Sequence, residues 1–494
     1  MDNIILFQFF RWYADAEDKL WLMAGTEAAR LAALGITYVW LPPAYKSAYG
    51  MGEPGYAVYD LYDLGEFDQK GSIPTRYGTR AEYVAAINSL HEKGIKVLAD
   101  IVLNHKLGAD EQETVPVRKV NNGNRTEIAD EKEMKEIWSR FVFPGRKKEY
   151  SDYVWDWHSF TGTSEDQENI YLIDNEHAGV KWEKMLDGEN GNYDYLMGLD
   201  IEFRNPHVRE ELKKWGRWYV EATQVDGFRL DALKHIYHGF YNEWLDDLEG
   251  YFKKDFFCIG EYWKREVDVL QAYLDATGNR IRLFDVPLHY HLHEASKRGA
   301  EYDLRTIFDY TLVKSKPELA ITFVDNHDTQ PFQSLESSVD HWFKPHAYAL
   351  ILLRQEGIPC VFYPTIYGAK YWGHVENGDV EVELPTVPCA ETLLLVRKNL
   401  SYGMQRDYFD DPVLIGWTRE GTDERPGSGC AVLLTTGAAN TKRMEVGVRH
   451  AGKIFNDICG NIDEEVLIDA EGYGVFRVQD GSVSVWISAD AAAL

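Results

Sequence analysis

Three carboxylates stand in settings suited to nucleophilic and acid–base work. They are Asp231 in Gly227-Phe228-Arg229-Leu230-Asp231-Ala232-Leu233-Lys234-His235, Glu261 in Gly260-Glu261-Tyr262-Trp263, and Asp328 in Phe323-Val324-Asp325-Asn326-His327-Asp328. Arg229 precedes Asp231 by two residues, so in an extended chain both side chains point to one face. A guanidinium beside a carboxylate favours the anion, as a nucleophile requires. Glu261 lies among aromatics, where desolvation favours the protonated form, as a general acid requires. Two such carboxylates roughly 5 Å apart can cleave a glycosidic bond with retention, one attacking the anomeric carbon and one protonating the leaving oxygen. A third acid could bind hydroxyls of the distorted sugar. Any one of these residues alone is more often a hydrogen-bonded structural acid, but three at comparable positions favour the catalytic reading.

A fourth segment of the same character, Asp100-Ile-Val-Leu-Asn104-His105, precedes them. His105, His235 and His327 close or adjoin their segments. Singly each is more often a packed or capping histidine; together they could donate to sugar hydroxyls. Tyr56 and Trp263 could stack on sugar rings or belong to the core. Asn104, Asp194 and Asp200 are hard oxygen donors that suit calcium rather than zinc, with solvated loop acids as the plainer alternative.

These residues need a scaffold that brings strand ends together. Eight short apolar runs supply one: Ile4–Phe9, Ile36–Leu41, Ile95–Val102, Val225–Leu230, Phe256–Gly260, Ile281–Val286, Ala320–Val324 and Ile358–Tyr363. They are rich in β-branched and aromatic residues, as strands buried on both faces are. Helical patterns fall between them at Lys19–Gly35, Thr79–Gly94, His207–Thr223, Tyr237–Phe252 and His341–Gly357. In Thr79–Gly94 the apolar Tyr83, Ile87 and Leu90 recur at helical spacing and Gly94 stops the pattern. The alternation predicts an α/β fold, a (β/α)8 TIM barrel, with the unusual residues at the C-terminal strand ends where barrel enzymes carry their chemistry.

The connection after the third strand is too long for a loop and predicts a β-rich insertion domain. Beyond Lys398, short strands such as Gly429–Thr435 and Ser482–Ile487 predict a C-terminal antiparallel β-sandwich domain. The expected boundaries are 1–103 with 207–398 for the barrel, 104–206 for the insertion and 399–494 for the C-terminal domain.

At 494 residues the chain is too long for one ordinary core. Its formal net charge of -28 argues against nucleic acid and anionic membranes as partners, since both call for a basic face. No run of 18 apolar residues suggests a membrane span. The N-terminus lacks a basic region and cleavage site, so no signal peptide is expected. The 5 cysteines are unpatterned, which suits free thiols and a cytoplasmic location. Nothing demands more than a monomer.

The four segments, in this order and spacing, resemble the signature regions of glycoside hydrolase family 13, the α-amylase family. The likeness runs over nearly the whole chain. Leu41-Pro-Pro-Ala-Tyr-Lys46, the stretch from Tyr59 to Gly71, Tyr77-Gly78 and Asn192–Met197 resemble the liquefying α-amylases of bacilli. The stretch from Lys106 to Glu111, Ile201-Glu-Phe-Arg-Asn205 and Trp342-Phe-Lys-Pro345 resemble the cytoplasmic α-amylases of enteric bacteria. The resemblance implies retaining endo-hydrolysis of α-1,4-glucans such as starch, glycogen or maltodextrins. It implies Asp231 as nucleophile, Glu261 as acid/base and Asp328 as transition-state stabiliser. It implies substrate contacts from Tyr56, His105, Arg229, Lys234, His235, Trp263 and His327, and one calcium on Asn104, Asp194, Asp200 and the carbonyl of His235. The bacillary relatives hold further metals on aspartates; the matching positions here look like Thr161, Glu183, Glu202 and Arg204, which speaks against a metal cluster. A glucanotransferase or an α-1,6 enzyme could use the same three acids. A non-catalytic carbohydrate-binding protein would be free to lose them. A barrel acting on phosphorylated substrates should carry a Gly-rich loop after strands seven and eight, and none is seen.

Overall fold

Each of the eight apolar runs contains a strand of the computed structural model, which describes residues 3–164, 169–375 and 378–491. The strands are β1 (Leu6–Gln8), β2 (Tyr38–Leu41), β3 (Lys96–Ile101), β4 (Gly227–Leu230), β5 (Phe257–Gly260), β6 (Ile281–Phe284), β7 (Ala320–Phe323) and β8 (Ile358–Phe362). They close into a barrel with each strand beside its sequence neighbours and β8 beside β1. The pairing is parallel, as in β3–β4, where Arg229 stands opposite Asp100, and in β4–β5, where Leu230 stands opposite Gly260. The chain divides into two compact units. One comprises Met1–Trp12, Arg30–Tyr38 and Phe284–Leu494, the other Tyr13–Ala29 and Val39–Leu283.

The helices follow local signals. Helix α1 (Leu20–Ala33) precedes β2, and α2 (Arg80–Glu92) precedes β3. Thr79 caps α2 in a reciprocal box with Glu82, and Tyr83, Ala86, Ile87 and Leu90 form its buried stripe. Helix α3 (Pro206–Thr223) starts on the Asn205 cap with proline in its first turn, where the missing N–H would be unpaired anyway. Helix α4 (His238–Phe252) presents Trp244 to Phe228 of β4 at 5.0 Å between ring centroids. Phe228 thus points to the helices, and strand alternation turns its neighbour Arg229 inward.

The last expected helix is shorter than its pattern. It begins with a 3-10 turn at His341–Phe343 and stops at Leu353 rather than Gly357. Arg354 adopts extended φ/ψ, and its guanidinium pairs with both carboxylate oxygens of Asp407 at 2.7 and 2.9 Å. A bidentate pair outside the helix outweighs one more turn inside it.

The insertion forms a six-stranded sheet in the order His105–Lys106, Leu199–Ile201, Phe160–Thr163, Ile170–Ile173, Glu111–Val120, Glu133–Arg140. Its small core contains Val120, Ile170, Leu172, Trp182 and Tyr195. The C-terminal part pairs a six-stranded sheet with the two-stranded Asn440–Glu445 and Tyr473–Val478. Leu433 and Trp486 from the first sheet meet Met444 and Phe476 from the second in one core, as a sandwich requires. A further hairpin after β8, Ala369–Val375 with Gly378–Leu384, has no counterpart in the sequence expectations. Among the described residues no helix is long and apolar enough to cross a membrane.

Candidate active site

Arg229 is the hub of the site. Its guanidinium carbon lies 4.9 Å from the ring centroid of Trp40, and its Nη1 donates to Asp100 Oδ1 at 2.9 Å and to Asp231 Oδ1 at 2.5 Å. Nη2 donates to Glu261 Oε2. One cation therefore serves three carboxylates. Burial works against its charge, but Asp100 and Asp231 outweigh that and hold its pKa above the usual arginine range. Sequence reasoning placed Arg229 beside Asp231 alone and Glu261 among aromatics alone; the fold shares the guanidinium between both acids.

Asp100 is the member that sequence reasoning passed over. It is fully buried and also accepts from Trp40 Nε1 at 3.0 Å and from the Tyr56 hydroxyl at 2.8 Å. Burial raises its pKa to about 6, against the pull of Arg229 and with the push of Asp231. Its signal in the sequence was its place in β3, at the head of the segment ending in Asn104-His105, where a charge inside a buried strand demands a partner.

Backbone contacts fix the two acids. Asp231 N bonds Ile101 O, Glu261 N bonds Leu230 O, and Leu233 N bonds Glu261 O, at 2.9–3.0 Å. The ladder thus continues past the strand ends and carries Asp231 and Glu261 side by side. Ala232 then takes a left-handed conformation, φ 49, and turns the chain into a 3-10 turn at Leu233–His235. Gly260 allows this approach, since a Cβ there would lie 2.3 Å from Leu233 Cδ1. Asp231 and Glu261 keep side-chain exposures of 12% and 13% while Arg229 is at 1%, so the two acids are reachable and their shared cation is not.

Around this centre, Tyr56 is nearly buried, its hydroxyl spent on Asp100 and its ring 5.9 Å from the Arg229 guanidinium carbon. His105 Nε2 meets the Tyr56 carbonyl at 2.9 Å and its Nδ1 meets the Asn104 amide at 3.3 Å. Burial lowers its pKa, and a carbonyl on one side with an amide N–H on the other fits the neutral ring. Both ring nitrogens are engaged within the protein, so His105 holds the Tyr56 loop. Lys234 Nζ pairs with Glu189 at 3.1 Å and lies over the Tyr193 ring. His235 Nδ1 bonds the Tyr193 carbonyl at 2.7 Å, and burial, helped by Lys234, pushes its pKa down to about 3. Trp263 is half-buried, while its neighbour Tyr262 is core and packs on Tyr273.

Asp328 and His327 follow β7 in the other unit. Asn326 Oδ1 accepts from the backbone N–H of Asp328 and Thr329 at 2.9 and 3.0 Å, forming the turn that presents Asp328. Gln8, the last residue of β1, donates Nε2 to His327 Nδ1 at 3.1 Å, which leaves His327 Nε2 to face Asp328 Oδ2 at 3.3 Å. Trp12 stacks on the imidazole at 6.0 Å between centroids. Neither Gln8 nor Trp12 is visible as a site residue without the fold.

The oxygen donors expected to hold calcium gather beside His105. Asp200 pairs with His105 across the insertion sheet, and Ile201 N bonds Asn104 O at 3.0 Å. Among the described residues no donor reaches Asn104 Oδ1 or Asp200 Oδ2, both buried. Burial raises the pKa of Asp194 to about 8 and also raises that of Asp200, each aided by neighbouring carboxylates. Buried oxygens without donors fit a hard cation. Among the described residues no three of His, Cys, Asp or Glu form a ligand cage, so a cation here would depend on amide and carbonyl oxygens as well. Beside them Arg204 donates Nε and Nη2 to the two oxygens of Glu202, both at 2.7 Å, with Glu183 at 3.6 Å and Thr161 Oγ1 at 3.3 Å from Glu202. A built-in guanidinium balances these acids.

Residues 29–370 match the family described as alpha amylase, catalytic domain, and residues 431–487 match the alpha-amylase C-terminal family. The chain is 46% identical over 490 residues to an alpha-amylase of Geobacillus stearothermophilus, covering 98% of this chain and 87% of that one. It is also 46% identical over 492 residues to the cytoplasmic alpha-amylase of Escherichia coli K12, covering 99% of both. The solved alpha-amylase of Geobacillus thermoleovorans, in complex with acarbose, shares the fold with a TM-score of 0.64 at 18% identity over 99% of each chain. The barrel, the match over most of its length and the near-full-length identity place this chain in the α-amylase family of glycoside hydrolases, family 13.

Proposed function

We propose that this protein is an endo-acting α-amylase that hydrolyses internal α-1,4 bonds of starch, glycogen or maltodextrins by double displacement. The observation that carries the reading is the shared contact of Arg229 with Asp231 and Glu261, two reachable carboxylates on adjacent strand ends. Glu261 protonates the glycosidic oxygen as Asp231 attacks C1, and the C1–O bond breaks. Water, deprotonated by Glu261, then attacks C1 and releases Asp231. Asp328, turned outward by Asn326 and backed by His327, binds hydroxyls of the distorted sugar. Tyr56, Lys234, His235, Trp263 and His327 would contact the substrate, while His105 and Arg229, expected as contacts too, spend their nitrogens within the protein and act by holding Tyr56 and the acids. An open groove of about 640 Å³ beside Lys106, lined by Tyr49 and the 54% exposed Trp138, offers ring faces for a chain rather than a single sugar.

Asn104, Asp194, Asp200 and the His235 carbonyl would hold one calcium, which would supply a fixed charge pinning the insertion to the end of β3. The barrel is assigned to 1–103 with 207–398, the insertion to 104–206 and the C-terminal domain to 399–494 as part of the same proposal. The likeness to a protein named as cytoplasmic and the five free cysteines support a cytoplasmic enzyme.

The test is reducing-end release and iodine-colour loss from soluble starch, for wild type and Asp231→Asn. Early colour loss per end released is expected for the wild type. A fall on the order of 10⁴-fold or more in kcat is expected for the variant, with its melting temperature retained. A variant that stays active, or a wild type that releases no ends, overturns the proposal.

A further inference from the structure

A cavity of about 380 Å³ opens between the segment leading into β7, the end of helix Lys344–Leu353 and the strand Gln405–Tyr408 of the C-terminal sheet. Its lining lies wholly within the unit that contains Phe284–Leu494. Pro317 and Glu356 in its wall lead into β7 and β8, whereas Asp328 lies past the opposite end of β7. None of the three proposed catalytic acids is in the lining. The volume falls in the range of about 300–1,000 Å³ usual for small-molecule sites.

We propose that this cavity is a second carbohydrate site, which takes a short neutral α-1,4-glucan of maltose size. The identity of the sugar rests on the α-amylase reading, since such glucans are what the proposed reaction releases.

The wall selects for charge, shape and hydrogen bonding. Its charges cancel, with Arg305, Lys314 and Arg354 set against Asp309, Glu356 and Asp407. Lys314 pairs with Asp309, and Arg354 pairs with Asp407 at 2.7 Å and with Glu356 at 3.2 Å. An ionic ligand would leave one charge uncompensated, so a neutral one fits. Phe308 and Phe409 are half-buried, 6.1 Å apart between centroids, and the Arg354 guanidinium carbon lies 4.8 and 5.2 Å from them. Their remaining apolar surface, continued by Leu288 and Val313, suits the C–H face of a sugar ring. Carboxylates that accept and a guanidinium that donates, side by side, suit hydroxyls that do both. Thr322 is buried in the wall, and its hydroxyl has no hydrogen-bond partner among the described residues. Such a group is costly until something pairs with it, and a purely apolar ligand would not.

The experiment irradiates the full-length protein with maltose bearing a diazirine on its reducing end and maps the adducts by mass spectrometry. Adducts within 305–317 or 405–409 are expected, and excess unlabelled maltose should remove them. Phe409→Ala, and Thr322→Val, which only exchanges the hydroxyl for a methyl group, should each lose most of these adducts. Both variants should keep the wild-type kcat on soluble starch. No adduct in either segment, or adducts confined to the neighbourhood of Asp231 and Glu261, would overturn the second site and leave the amylase reading standing. Adducts at 305–317 in a wild type that leaves starch whole would keep the site and overturn that reading. Labelling that survives excess maltose, or that neither variant diminishes, would overturn the proposal.

Discussion

Arg229 concentrates the electrostatics of the site in one side chain. Its partners Asp100, Asp231 and Glu261 would face one another without compensation if it were removed, and Asp100 has no access to water. Breaking a buried pair from one side leaves an unpaired charge. Arg229→Met should therefore cost about 3–5 kcal/mol of stability as well as activity, read by urea denaturation and starch hydrolysis. Asp231→Asn, which keeps a polar group beside Arg229, should lose activity alone. Equal stability for Arg229→Met and wild type would mean that the hub does not hold the strand ends together.

Elements bring these residues into place, and their own signals can be tested one at a time. Helix α2 begins with the Thr79–Glu82 box, in which Glu82 Oε2 accepts from Thr79 N at 2.7 Å. Thr79→Ala should cost ~1 kcal/mol by denaturant titration and leave kcat unchanged, because the Thr79 hydroxyl is engaged with Glu82 in the first turn of its own helix. A loss of activity without a loss of stability would contradict that division. The insertion sheet carries Asp200 to His105. Chelation with EDTA should therefore lower the melting temperature by a few degrees, and added calcium should restore it. Melting that is indifferent to chelator and to calcium would remove the metal from the account.

At the scale of the whole molecule, buried acids decide how stability follows pH. Asp285 is fully buried, and burial raises its pKa to about 6 against three backbone N–H donors, Leu288, Leu312 and Val313. A folded pKa above the unfolded 3.8 means that the folded chain binds the proton more tightly. Its contribution is full below the unfolded value and is lost as pH rises through about 6. Relative to Asp285→Asn, the wild type should gain up to about 3 kcal/mol as pH falls from neutral to about 4. A stability difference that does not vary with pH would exclude that titration.

The eight barrel strands, and the places of Asp231 and Glu261 just past the ends of two of them, were legible in the sequence because both are local facts. A strand buried on two faces must be a short apolar run. A charge at its end, as at Asp231 or Glu261, stands out against that run. What the sequence could not convey were contacts between residues far apart along the chain. Asp100 meets Arg229 across 129 positions and Gln8 meets His327 across 319. The guanidinium shared between two acids, the engaged nitrogens of His105 and the early end of the helix at Leu353 are of the same kind. Periodicity and residue type report what a segment needs in order to be buried. Only the closed barrel and its appended sheets decide which distant group satisfies that need.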